Sequence, residues 1–147
     1  MINVTYADYA WEQTAALLAI DSPSGFTAKA ALWVKETFEN LGFSAEITRK
    51  GEVLIDLGGE GDGLLLEAHA DTLGAMVAQV KGNGRLKLTP LGGMNANNAE
   101  GENVRVYTRN GSVIEGTCQL CNASVHVNKE YDGTKRSWDT VEIVLDE

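Results

Sequence analysis

The stretch Leu64-Leu-Leu-Glu-Ala-His-Ala-Asp-Thr-Leu-Gly74 joins a run of apolar residues to two side chains that can take part in metal binding. It follows a turn cluster, Gly58-Gly-Glu-Gly-Asp-Gly63, so a new element begins here. A short apolar run bounded by turn residues is typical of a strand buried on both faces. We therefore predict a strand over residues 64–68, in a sheet covered by helices, with His69 and Asp71 at its end.

Helix and strand patterns alternate on the N-terminal side of this stretch. Apolar residues recur at helical spacing from Ala7 to Ile20 and again from Ala28 to Leu41. Residues 43–48 and 53–57 then have the character of strands. This alternation predicts an α/β fold for the N-terminal half of the chain.

The pattern changes on the C-terminal side. Short strand candidates are separated by the tight-turn sequences Gly82-Asn-Gly84 and Asn110-Gly111, and no helix is predicted. We divide the chain into residues 1–72, a partial α/β sheet with helices, and residues 73–147, a small and mostly antiparallel β-barrel. The strand candidates of the second part are residues 74–80, 85–88, 103–108, 113–118 and 141–145.

His69 and Asp71 form an H-x-D pair at the end of the predicted strand. Side chains two residues apart on an extended segment point to the same side. A histidine that binds a metal through one ring nitrogen needs an acceptor at the other, and a nearby carboxylate commonly serves. Asp71 could take that role or bind a metal itself. On its own, the pair favours a structural histidine over a metal site, because H-x-D occurs by chance and a histidine at the end of a strand is usually structural.

Cys118 and Cys121 form a C-x-x-C pair, which can supply half of a zinc site. His126 would be a third ligand, but the sequence offers no fourth. A thioredoxin-like redox site would require the pair at a helix N-terminus, whereas this pair follows a predicted strand. Free thiols without a special function are therefore favoured over metal binding and over redox activity, and they fit a reducing compartment.

Composition and charge exclude several classes of function. The net charge of −9, with only 12 Lys and Arg scattered along 147 residues, argues against a nucleic-acid partner. The apolar run at the centre is far shorter than a membrane span requires. The first residues lack the basic and apolar regions of a secretory signal. We expect a cytoplasmic protein without nucleic-acid or membrane partners.

Further motifs flank the central stretch in a fixed order. The motifs are Asp21-Ser-Pro-Ser-Gly25, Leu41-Gly42-Phe43, Gly51-Glu-Val53, Gly82-Asn-Gly-Arg-Leu86, Leu91-Gly-Gly93, Gly101-Glu-Asn-Val-Arg-Val106, Thr108-Arg-Asn-Gly111 and Val113-Ile-Glu-Gly116. In order and spacing they resemble the di-metal aminopeptidases of the tetrahedral, glutamyl aminopeptidase type, from about residue 5 to the end of the chain.

This resemblance implies an α/β exopeptidase domain with two bridged divalent metal ions, zinc or cobalt. Such a pair activates water for attack on the first peptide bond of a peptide substrate. The resemblance also implies that His69 is a metal ligand and that Asp71 is the catalytic-site residue that orients it. Residues 73–147 would be most of a PDZ-like dimerisation domain, so a homo-oligomer is expected.

The same resemblance implies that the active site is incomplete in these residues. The family's bridging Asp, its Glu-Glu pair, a further carboxylate ligand and a final His would all lie beyond the matched motifs. We therefore expect the chain alone to be inactive and to hold no metal ion, or one weakly bound. Thr27 and Thr72 stand where the family often has Glu, but neither position is a ligand.

Two other functions compete with the peptidase. One is a non-catalytic, self-associating β module in which the metal-ligand motif is vestigial. The other is carbohydrate hydrolysis, which is disfavoured because glycosidases need a pair of carboxylates across the sugar bond and the sequence nominates none.

Overall fold

The computed structural model describes residues 4–146. They divide into two compact units between Thr72 and Leu73. The first unit contains two long helices and a hairpin, and the second contains a five-stranded sheet. Within residues 4–146, no helix is long and apolar enough to cross a membrane.

The first unit follows the predicted alternation, with elements α1 (Val4–Leu18), α2 (Ala28–Asn40), β1 (Ser44–Ile47) and β2 (Val53–Asp56). Helix α2 packs on both strands, and its buried positions are the small residues Ala30 and Ala31. The rings of Phe38 and Phe43 meet at the end of this helix, with centroids 6.2 Å apart. The hairpin is antiparallel and turns through Gly51, whose φ of 90° favours glycine.

The predicted strand over residues 64–68 is wrong for the chain as described. No backbone ladder joins these residues to another segment among residues 4–146. The side chains of Leu64, Leu65 and Leu66 are 85%, 70% and 74% exposed. A strand of a buried parallel sheet needs hydrogen-bonding neighbours and covering helices. The described residues supply neither to this stretch, so residues 64–68 do not form a strand despite their apolar pattern.

The second unit is an antiparallel sheet with strands in the order β3-β4-β7-β6-β5. Its predicted strands are all present, and β3 and β7 have the predicted bounds. A β-bulge interrupts the β3–β4 pairing between Val77 and Gln79. The strands are β3 (Gly74–Val80), β4 (Leu86–Leu91), β5 (Asn103–Tyr107), β6 (Val113–Leu120) and β7 (Val141–Leu145).

The sheet of the second unit carries a well-packed apolar core. Alternate residues of β4 and β6 face it, and the last strand, β7, lies between them. The alternation of buried and exposed positions is what a sheet covered on one face produces. The buried apolar residues of this core are Leu86, Leu88, Ala96, Ala99, Cys118, Leu120, Val141 and Ile143.

Two features of the second unit concern its connections. A short helix, α3 (Ala96–Ala99), contradicts the expectation that this half has no helix. The side chain of Asn95 caps it by accepting a hydrogen bond from the Asn97 amide at 3.0 Å. The predicted turns are confirmed, with φ of 83° at Gly84 and 89° at Gly111. The antiparallel sheet is as expected, and its closure into a PDZ-like barrel stays a prediction.

Candidate functional site

The segment 69–72 is held in place by the loop that follows α1. The Thr72 amide donates to the Ser22 carbonyl oxygen at 2.8 Å, and the Ser22 hydroxyl donates to the Ala70 carbonyl oxygen at 2.7 Å. Pro23 and Thr72 form an isolated parallel bridge. Ser22 is buried, with 1% of its surface exposed. These contacts connect residues almost 50 positions apart in the sequence and give the His69 segment a defined backbone.

The side chains of His69 and Asp71 meet, as the H-x-D spacing predicts. The Nδ1 atom of His69 lies 3.2 Å from Oδ1 of Asp71 and 3.1 Å from the Asp71 carbonyl oxygen. A carbonyl and an ionised carboxylate only accept hydrogen bonds. Nδ1 must therefore carry the proton when the imidazole is neutral, which leaves the lone pair on Nε2. The imidazole is 87% exposed, so Nε2 is open to an incoming ion.

The second carboxylate oxygen of Asp71 accepts a hydrogen bond from another residue. The Ser24 hydroxyl donates to Oδ2 of Asp71 at 2.6 Å. This hydrogen bond is the main cause that holds the pKa of Asp71 below its usual value; partial burial opposes it, and His69 lowers the pKa further. Asp71 is therefore ionised at neutral pH, as an acceptor for the imidazole N–H requires.

The described residues bring only one ligand of a metal site, His69, into position. Within residues 4–146 no group of three or more His, Cys, Asp or Glu side chains could hold a metal ion. His69 presents a neutral nitrogen whose tautomer is set by a carboxylate, as in many histidine ligands. A single imidazole holds a divalent ion weakly, because structural and catalytic sites use three or four protein ligands.

The C-x-x-C pair does not form a site. Cys118 is buried in the core of the second unit, Cys121 is exposed, and both are free thiols. Burial raises the pKa of each thiol above its ordinary value, which disfavours the thiolate that metal binding and redox chemistry need. His126 is exposed, and the three residues do not come together as a metal-binding group among the described residues. That Cys118 and Cys121 are ordinary thiols stays a prediction.

The sequence analysis missed an ionic cluster around Glu142. This carboxylate is 2% exposed and contacts Lys81 Nζ at 2.6 Å and Arg85 Nη1 at 2.5 Å. Burial alone would raise the pKa of Glu142, but the hydrogen bonds from Lys81 and Arg85 outweigh it and hold the pKa below its usual value. Each group has its partners within the cluster, so we assign it a structural role. The sequence does contain an indication of this cluster, because Glu142 is a charged residue among the apolar residues of β7.

An open cavity of about 280 Å³ lies elsewhere in the second unit. Its one charged side chain, Arg136, donates to Glu100 at 2.7 Å and to the carbonyl oxygens of Tyr131 and Thr134 at 3.1 and 2.9 Å. The guanidinium is thus used within the unit. The cavity is lined by Gly93, Met94, Asn95, Ala96, Arg136, Ser137 and Trp138.

Proteins of similar sequence support the resemblance that the motifs indicate. The chain is 35% identical over 133 residues to YhfE of Bacillus subtilis (strain 168), a candidate aminopeptidase, covering 89% of this chain and 38% of YhfE. It is 27% identical over 107 residues to the glutamyl aminopeptidase of Lactococcus lactis subsp. cremoris (strain MG1363), covering 71% of this chain and 30% of that enzyme. The chain therefore spans 38% and 30% of the length of these two relatives.

Solved structures share the fold. The TET aminopeptidase from the marine sediment archaeon Thaumarchaeota archaeon SCGC AB-539-E09 matches with a TM-score of 0.80 at 24% identity, over 96% of this chain and 39% of that one. PhTET1-12s, solved as a dodecamer, matches with a TM-score of 0.76 at 18% identity, over 92% of this chain and 39% of that one. Residues 51–147 match the M42 glutamyl aminopeptidase family. The chain belongs to this family of metallo-aminopeptidases.

Proposed function

We propose that this chain is the N-terminal portion of a di-metal aminopeptidase that removes N-terminal residues from peptides in the cytoplasm. The observation that carries the proposal is the His69–Asp71 pair, in which Nδ1 faces two acceptors and Nε2 is left for a metal. Family membership gives this arrangement a chemical context. Residues 1–72 belong to the α/β metallopeptidase domain, and residues 73–147 to an incomplete PDZ-like dimerisation domain.

In this proposal His69 binds one of two divalent ions, zinc or cobalt, through Nε2. Such ions supply polarisation of the peptide carbonyl and activation of water. Asp71 does not bind the ion. It accepts a hydrogen bond from Nδ1–H of His69 and keeps the imidazole in the tautomer that can bind metal.

The chain alone is proposed to be inactive. A di-metal site requires carboxylates that bridge the ions and a general base near the attacking water. The described residues bring no three candidate ligands together. One imidazole retains at most one weakly bound ion, which is too little for a di-metal site.

The test is to assay the purified chain with zinc or cobalt against aminoacyl chromogenic substrates. The assay is repeated after adding the part of the B. subtilis relative that lies C-terminal to the matched segment; we call this mixture the completed enzyme. We expect turnover only in the completed enzyme. Robust turnover by the chain alone would show that the catalytic residues are misassigned.

The role of His69 is tested in the completed enzyme. His69→Ala is expected to lose one metal ion and nearly all activity, because it removes the imidazole nitrogen that is proposed to bind that ion. His126→Ala is the matched control, since it removes the second histidine of the chain, and it should keep both. Full activity and metal content in His69→Ala would remove His69 from the site.

A non-catalytic, self-associating module is the second candidate function. Strands β3 and β5 end the sheet of the second unit, and unpaired strand edges tend to associate. Self-association also fits the peptidase proposal, because a dimerisation domain would act in both. We expect dimers or larger species by light scattering at high concentration. A monomer at every concentration would count against both forms of the assembly proposal.

A further inference from the structure

We propose that Ser24 is a positioning residue for the metal-binding histidine. Its hydroxyl holds the Asp71 carboxylate in the orientation that fixes His69 with the proton on Nδ1. The inference rests on the proposed function for its role in catalysis, but its effect on His69 can be measured in the chain alone.

The geometry divides the two oxygens of Asp71 between two partners. Oδ2 accepts from Ser24 at 2.6 Å, and Oδ1 lies 3.2 Å from Nδ1 of His69. A carboxylate is planar, so a hydrogen bond that fixes one oxygen also fixes the other. The Asp71 side chain is 42% exposed, and the terminal torsion of an aspartate is broad when nothing restrains it. The hydroxyl of Ser24 supplies that restraint.

Ser24 is itself held by the backbone of its loop. The Phe26 amide donates to the Pro23 carbonyl oxygen at 2.7 Å, which closes a turn around Ser24. Gly25 has φ of 85°, a conformation that favours glycine. The preceding residues are tied to the His69 segment by the buried Ser22 and the Pro23–Thr72 bridge. The hydroxyl therefore reaches the carboxylate from a rigid support.

A hydroxyl facing a carboxylate has one possible arrangement. The carboxylate has no proton to give, so Ser24 donates. Ser24 and His69 thus both donate to Asp71, and none of the hydrogen bonds among residues 4–146 involves Nε2 of His69. Loss of the Ser24 hydroxyl frees the carboxylate to rotate away from His69 or to turn toward water. The Asp71 carbonyl oxygen, 3.1 Å from Nδ1, remains as an acceptor. The expected result is therefore a partial shift of the imidazole tautomers, not a loss of the fold.

The first experiment measures these tautomers in the 147-residue chain. The histidines are labelled with nitrogen-15, and long-range proton–nitrogen correlations are recorded at about pH 8.5, where an ordinary imidazole is neutral. In the wild type we expect His69 to be mainly in the Nδ1–H form. Ser24→Ala should lower its ratio of Nδ1–H to Nε2–H about fivefold, the effect of one ordinary hydrogen bond. His126 provides an internal reference in the same spectrum.

Two further variants separate positioning from a general structural effect. Ser24→Thr keeps the hydroxyl and should retain the wild-type tautomer ratio. Ser44→Ala makes the same deletion at an exposed serine of the same unit and should leave His69 unchanged. A fall in the tautomer ratio that also occurs in Ser24→Thr or Ser44→Ala contradicts the inference.

The second experiment measures catalysis in the completed enzyme. Ser24→Ala should lower kcat by up to about tenfold, the lower end of what loss of a metal ligand's direct partner costs, because Ser24 acts on His69 through Asp71. KM should change little, and Ser24→Thr should recover the rate. An unchanged tautomer ratio in Ser24→Ala overturns the inference whatever the activity. Failure of the proposed function looks different, because the wild-type completed enzyme would then show no turnover while the tautomer shift persisted.

Discussion

The two units of the chain differ in how much of their apolar surface they cover. The second unit buries a contiguous core built on β4, β6 and β7. The first unit buries Ala30, Ala31 and Ser22, while Trp11 is 76% exposed and Leu64 is 85% exposed. Both sequences have strong helix or strand patterns. What separates them is whether the described residues supply the layer that each pattern has to pack against.

The candidate site lies in the less covered unit. His69 and Asp71 follow the exposed leucines closely in sequence, and residues 70–72 are held by the loop around Ser22 through three hydrogen bonds. Hydrogen bonding, rather than apolar burial, thus fixes the local geometry of the site. The local arrangement of the imidazole can therefore form before the surrounding sheet is complete. The predictions below test this contrast between the two units.

Hydrogen exchange should show the largest difference. Amides in the β6–β7 ladder should exchange more than about a thousandfold more slowly than those of residues 64–68, because opening the ladder requires unfolding of the second unit. The measurement is amide exchange by NMR on the whole chain at low concentration. Similar protection in the two places, in a monomeric sample, would contradict the described difference.

Leu120→Ala should strongly destabilise the second unit. Leu120 is 1% exposed in the core, and truncation of a buried leucine costs about 2–5 kcal/mol. Urea unfolding followed by Trp138 fluorescence reports on this unit. Val127→Ala is the control, because Val127 is 75% exposed, and its effect should stay within about 0.5 kcal/mol. If the two substitutions changed the free energy of unfolding equally, Leu120 would not be part of the core.

The Glu142 cluster should make the second unit sensitive to acid. The pKa of Glu142 is lowered in the folded state, so its contribution is complete above the unfolded-state pKa. That contribution is lost as the pH falls through the folded-state value. The melting temperature should therefore fall as the pH drops below about 4.3, the ordinary value for Glu.

Glu142→Gln should remove part of this acid dependence. At pH 7 it should cost about 1.5–3 kcal/mol, the usual contribution of hydrogen bonds to a charged group. Asp139→Asn is the control, since Asp139 pairs with Lys87 but its side chain is 82% exposed, and solvent screens such pairs. If the melting temperature of Glu142→Gln falls at low pH as it does in the wild type, the ion pairs of Glu142 do not contribute to stability.

Gly116→Ala should disturb the pairing of β6 with β7. A Cβ atom at Gly116 would lie 2.5 Å from the Val144 carbonyl oxygen and 3.0 Å from Cγ2 of Ile143. The backbone must shift to accept it, at a cost of about 1–3 kcal/mol, which corresponds to a fall of roughly 4–20 °C in Tm for a unit of this size. Gly82→Ala meets no atom within 4 Å and serves as the control.

Most elements of the fold follow from local sequence patterns. Helix α2, strands β3 and β7, and the turns at Gly84 and Gly111 depend on periodicity and glycine conformation, which a short window contains. Residues 64–68 differ because a buried strand is defined by its neighbours, and no local pattern supplies those. Helix α3 was not predicted because its four residues, which Asn95 caps, are too few to show a helical pattern of apolar residues.

The candidate site was predictable in part for the same reason. The contact between His69 and Asp71 follows from a spacing of two residues. The contact of Ser24 with Asp71 joins positions 47 residues apart, and only the folded loop brings them together. The resemblance to aminopeptidases included the Asp21–Gly25 motif, but no spacing rule assigned Ser24 a partner.

Leu65→Ala should have the smallest effect on the isolated chain. Leu65 is 70% exposed, so truncation removes few packing contacts, and the free energy of unfolding should change by less than about 0.5 kcal/mol. The circular dichroism of α1 and α2, both in the first unit, is the readout in a urea titration. In the completed enzyme, the same change tests whether the added part covers Leu65, because truncation of a leucine that has become buried costs about 2–5 kcal/mol. A large loss in the isolated chain would mean that Leu65 is already covered there. A negligible change in the completed enzyme would mean instead that the segment stays uncovered there as well.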